Sequence, residues 1–164
     1  MLAISLLFVG ITLILNGILL LQKTDVKSIS IMNLITASII IIGNFIAMHS
    51  AQSMVDYMNI ASGFLFGFTY LIIAVSLLMN IDPKVNGWYS LMVAIYALLM
   101  FFSSIDMQQM NYAYLWGLWS ILWASTFIEN ILNIKLGKYS SYLCIFEGFF
   151  AAFIPSIMMF FEKW

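Results

Sequence analysis

"WGLWSILWASTFIENILN", residues 116–133, sets three tryptophans, two asparagines and a glutamate into a stretch otherwise apolar enough to cross a bilayer. A charged group near the bilayer centre costs roughly 2.5–3.5 kcal/mol even on insertion scales, so Glu129 needs a physical reason. On a helix, Tyr112, Trp116, Trp119, Trp123, Phe127 and Asn130 fall within one sector about 80° wide. Thr126 sits at its edge, and Glu129 points about 100° or more away, which predicts a tie between helices rather than a place on the aromatic face. Aromatic belts lie at headgroup level. Trp123 is too deep for that role in a span of 112–133, whereas Trp88 suits it. The residues alone leave two readings of the stripe, interhelix packing or the wall of a pore.

The rest of the chain fixes the solvent. Of 164 residues, 64% are hydrophobic and 8% charged, against roughly 25% charged in a soluble domain. Charge-free runs cover 1–22, 28–55, 57–81, 85–105 and 107–128, and a sixth, 139–161, is interrupted only by Glu147. Each reaches the roughly 20 residues that span a bilayer. The fold class read from this is an all-α membrane protein. Its single domain, 1–164, holds six transmembrane helices at about 2–22, 29–50, 57–79, 87–104, 112–133 and 140–161. The first run lacks a basic flank and a small-residue cleavage site, so it is expected to remain as a span. One cysteine, Cys144, leaves no disulfide within the chain.

Lysines set the orientation. Lys23, Lys27, Lys84, Lys135 and Lys138 follow helices one, three and five, whereas the connections after helices two and four carry Asp56 and Asp106 and no lysine. Positive residues stay inside, so both termini are expected outside a cytoplasmic membrane. The lysine turns "KTDVKS" (23–28), "NIDPKVNGWYS" (80–90) and "NIKLGKYS" (133–140) resemble one another, and "TLILN" (12–16) echoes "TFIEN" (126–130). This pattern predicts three helical hairpins around a common centre, a plan that recurs in transporters.

The same helical construction turns Val9, Thr12 and Asn16 of helix one to one side, where Val9 and Asn16 are expected to line the pore, with Gly63, Phe66 and Tyr70 together on helix three. Glu147 lies near the middle of helix six and is the better pore candidate of the two buried glutamates; Pro155 predicts a kink in that helix. Glu129, Asn130 and Thr126 are expected to be structural polar groups. His49 stands alone at the outer end of helix two. No HExxH, glycine-rich phosphate loop or Ser–His–Asp set is present, so no enzyme, metal or cofactor is expected. A net charge of −1 with no arginine gives no surface for nucleic acid.

"LFVGITLILNGI" (7–18), "FLFGFTY" (64–70), "WYSLMVAI" (88–95), "LWASTFIENIL" (122–132), "LGKYS" (136–140) and "FEGFFAAFIP" (146–155) together resemble the AmiS/UreI family of bacterial urea and short-chain amide channels. The resemblance runs through nearly the whole chain. It implies a homohexamer in the lipid bilayer with one pore per protomer. It also implies aromatic constrictions at Phe66, Tyr70, Trp116, Trp119, Leu122 and Trp123, and a pore-associated Glu147. The expected function is passive passage of urea to an intracellular urease, with acetamide-like amides as the alternative permeant. A proton-coupled amide transporter using the two glutamates is a further alternative. The outer loops "HSAQSMVDY" (49–57) and "SSIDMQQMNY" (103–112) are short and hold one histidine, unlike the long histidine-rich loops of acid-gated members, so acid gating is not expected.

Overall fold

The computed structural model describes residues 2–164, which form helices joined by short turns. In chain order these are α1 (Leu2–Leu21), α2 (Val26–Met48), α3 (Met54–Met79), α4 (Lys84–Asp106), α5 (Met110–Asn130), α6 (Lys138–Glu147), a π-helical segment (Gly148–Phe153) and α7 (Ile154–Phe160). The last three run on as one rod, Lys138–Phe160. Short polar side chains start two of the helices. Asp25 accepts the Lys27 N–H at 3.1 Å ahead of α2, and Ser53 and Asp56 form a reciprocal capping box on α3, each satisfying amides that a helix start leaves unpaired.

Five rods are long and apolar enough to cross a membrane, so this is a multi-pass membrane protein. The exception is α5, whose indoles, tyrosines and serines dilute its hydropathy. The helices touch in cyclic order, α1 through α5 and then the composite last rod, which closes back onto α1. The most intimate pairs are α2 with α3, α4 with α5, and α1 with the last rod. Helices joined by the lysine turns, α1/α2 and α3/α4, touch along less of their length.

Large apolar side chains such as Ile42, Phe45, Ile46, Met92, Leu99 and Phe102 face outward, as lipid contact requires. The polar atoms turn inward instead. Between α1 and α2, the Thr12 and Thr36 hydroxyls meet at 2.7 Å, and Asn16 and Asn33 exchange amide hydrogen bonds at 3.0 and 2.9 Å, all buried. The α1 seam with the last rod is closer still. A Cβ on Gly148 would lie 2.9 Å from the Ile14 nitrogen and 3.0 Å from the Gly10 oxygen, so backbone meets backbone there. That is the small-residue contact expected where lipid gives no hydrophobic drive to association.

Pro155, where the sequence predicts a kink, lies two residues beyond a π-helical segment, Gly148–Phe153. Proline offers no N–H, so Pro155 can donate neither to Ala151, its α-type acceptor, nor to Phe150, its π-type acceptor. Side chains of α5 take over. The Trp119 indole N–H donates to the Ala151 carbonyl at 3.2 Å, and the Tyr114 hydroxyl donates to the Phe150 carbonyl at 3.3 Å.

An aromatic slot between two cavities

Inside the ring of helices, α3 presents Phe66 to the tryptophan face of α5. Its ring centroid lies 4.7 Å from Trp119 and 4.8 Å from Trp123, both edge to face, and 6.2 Å from Trp116. Trp116 and Trp119 meet edge to face at 5.0 Å, and Tyr96 of α4 backs Trp116 at 5.8 Å. Edge-to-face pairs contribute about 0.5–1.5 kcal/mol each beyond burial, so the four rings hold one another's orientation. All three tryptophans are buried.

Two cavities meet at this cluster. The larger, about 490 Å³, opens at the end of the bundle where α1, α3 and α5 begin. The smaller, about 80 Å³, lies deeper and is bounded by Leu13, Asn16, Thr69, Tyr70, Leu122, Trp123, Thr126 and Cys144. Val9, Phe66 and Trp119 line both. They form the partition, and a solute moving from one cavity to the other must pass them.

The sequence-predicted residues therefore sort by depth. Trp116 lies on the larger cavity; Val9, Phe66 and Trp119 at the junction; Tyr70, Leu122, Trp123, Asn16 and Thr126 on the smaller one. The Asn16 amide is spent on Asn33, so what it shows the cavity is a committed polar group. Three residues border neither cavity. Glu129 accepts the Leu136 N–H at 3.2 Å and the Ser140 hydroxyl at 2.7 Å, which ties the α5–α6 turn to α5. Asn130 packs on α4 at Gly87. Glu147 ends α6 with no exposed surface, and neither of its carboxyl oxygens has a hydrogen-bond partner among the described residues.

Sequence reasoning missed part of the wall. Leu13, Thr69 and Cys144 join the smaller cavity, and Asn44 and Ser62 the larger. It also missed the supports behind the aromatics. The Tyr96 and Ser62 hydroxyls meet at 2.7 Å, and the Tyr89 hydroxyl donates to the Leu65 carbonyl at 2.8 Å. Tyrosines seven apart on α4, facing the helix that carries Phe66, were the available signal. Among the described residues no three His, Cys, Asp or Glu side chains gather to hold a metal ion.

Comparison with known proteins adds independent observations. A family model described as "AmiS/UreI family transporter" matches residues 1–163. The acid-activated urea channel of Helicobacter pylori is 36% identical, with all of both chains covered over 194 aligned positions. It therefore carries segments that the 164 residues here lack. The putative transporter protein AmiS2 of Rhodococcus erythropolis is 35% identical over 96% of this chain and 78% of its own. The closed-state cryo-EM structure of the Helicobacter pylori urea channel superposes with a TM-score of 0.92 at 35% identity, covering all of both chains. The crystal structure of the Helicobacter pylori urea channel gives a TM-score of 0.85 at 38% identity, covering 100% of this chain and 99% of that one.

Proposed function

Because the chain belongs to the AmiS/UreI family of transporters, we propose that it is a passive channel for urea, supplying an intracellular urease across the cytoplasmic membrane. Six spans surround one pore as three hairpins, with the lysine turns inside and both termini outside. Six protomers assemble as a ring, each conducting on its own. The cyclic order of helix contacts and the internal position of both cavities support a pore within the protomer.

The observation that carries the reading is Phe66 set against three tryptophans where the two cavities meet. Urea is flat, neutral and edged with N–H donors around a single carbonyl. It can slide edge-on between aromatic faces and trade part of its hydration for contact. An ion in the same dry gap loses its shell with little in return, so the slot rejects it. No lysine lies on either cavity. The pore thus has no cationic side chain to bind an anion.

Stopped-flow uptake into proteoliposomes tests this. Urea permeability well above that of empty vesicles, without accumulation beyond equilibrium, is the expected result. Uptake driven above equilibrium by an imposed pH gradient would instead make it a proton-coupled transporter. A second permeant class, short-chain aliphatic amides such as acetamide, is favoured by relatives named as AmiS2 and as an amidate substrates transporter. The ratio of urea to acetamide flux decides between them.

A further inference from the structure

The wall of the larger cavity carries a carboxamide seated in a gap that a glycine leaves in the facing helix. Asn44 of α2 lays its carboxamide flat over the backbone of α3 at Gly63. A Cβ at Gly63 would fall 2.2 Å from Asn44 Oδ1 and 2.4 Å from Nδ2, so only glycine leaves room for the amide there. The amide is also oriented. Nδ2 donates to the Ile40 carbonyl at 2.8 Å, and a carbonyl can only accept, which fixes Oδ1 as the other edge. Oδ1 accepts no hydrogen bond from the described residues. It is also absent from the fully buried atoms left without a partner, so it keeps some accessible surface, and Asn44 lines the cavity.

Position gives this acceptor a use. Gly63 precedes Phe66 by three residues, about 4.5 Å along the helix axis, roughly the length of a small planar amide. Two hydroxyls on the same cavity are already engaged. Ser62 bonds Met58 and Tyr96, and Ser104 bonds Met100. We propose that Asn44 Oδ1 is a reception site for the N–H edge of the permeant amide, taking one hydrogen bond from it just before the slot strips the remaining water. The inference rests on the amide-channel reading above and adds the residue that lowers the cost of entering the slot. Gly63 serves it indirectly, as the gap that seats the amide.

The test replaces Asn44 with Leu, which keeps the bulk over Gly63 and removes the acceptor. Urea permeability of the purified protein in proteoliposomes is expected to fall about five-fold, the scale of one modest hydrogen bond, with oligomer elution and melting temperature unchanged. Wild-type flux in a well-assembled Asn44→Leu protein overturns the proposal. So does a flux loss that merely tracks a lower melting temperature, because that is packing. If Asn44→Leu fails to assemble, Asn44→Ala, which opens space instead of filling it, is read the same way. A wild-type protein no more permeable than empty vesicles would sink the channel reading itself, a result distinct from equal wild-type and variant fluxes.

Discussion

The indole N–H of Trp119 donates at 3.2 Å to the carbonyl of Ala151, the α-type acceptor to which Pro155 has no N–H to donate. A ring of the slot is thus held by a defect in the opposite helix. Trp119→Phe keeps an aromatic face but strands the Ala151 oxygen in a dry interior. Such an orphan costs about 1–3 kcal/mol. The variant is expected to assemble with a lower melting temperature and a slot that discriminates less between urea and acetamide. An unchanged melting temperature with an unchanged flux ratio would show that the bond does not hold the ring.

Trp123 has a different part, being edge to face with Phe66 and on the wall of the smaller cavity. Trp123→Ala joins that small space to the gap beside Phe66. Urea flux is expected to change several-fold, and bulkier amides such as methylurea should enter. A residue that only packs would instead cost stability, of order 3–5 kcal/mol for full truncation in a tight core. Purified Trp123→Ala protein conducting urea at the wild-type rate and selectivity would falsify its assignment to the pore.

How much of this was legible can be judged at particular residues. The tryptophan face of α5 was readable because an indole stripe at helical spacing survives any choice of neighbours, and the opposing Phe66 came from the same periodicity on α3. Pro155 announced a break but not its consequence, because which side chain takes up a freed carbonyl depends on a helix distant in sequence. The polar edge of Asn16 pairs with Asn33 of α2, and nothing in the periodicity of helix one names that partner. The lysine turns mark which helices are joined, yet the tightest packing falls between other pairs, because small residues and side-chain shape decide it.

The Asn16–Asn33 pair yields a stability prediction. Asn16→Leu leaves the buried Asn33 amide without its partner, and the lost pairing costs about 1–3 kcal/mol. Replacing both asparagines with Leu removes the orphan as well as the pair, so the double variant should recover most of the melting temperature. Additive losses, measured by thermal unfolding of the detergent-solubilised protein, would mean that the two amides act independently.

Acidification is the last variable. A gate that opens between about pH 5 and 7 needs groups that change charge there, and histidine is the one side chain whose unperturbed pKa lies in that range. The chain has a single histidine, His49, exposed just beyond α2. The nearest carboxylate in the sequence, Asp56, is occupied by the Gln52 and Ser53 amides and the Ser53 hydroxyl at 2.8–3.1 Å. Asp106 closes α4 just after Ser103 and Ser104, which line the larger cavity, and the one ion pair among the described residues, Lys84–Asp82 at 3.8 Å, lies in the α3–α4 turn at the opposite end. The relative named as acid-activated aligns over more positions than this chain has, so it has segments that are missing here. Urea permeability is therefore expected to stay nearly constant from about pH 5 to 7.5, which stopped-flow uptake across that range measures. A several-fold rise on acidification that His49→Ala abolishes would reverse the reading and make His49 the sensor.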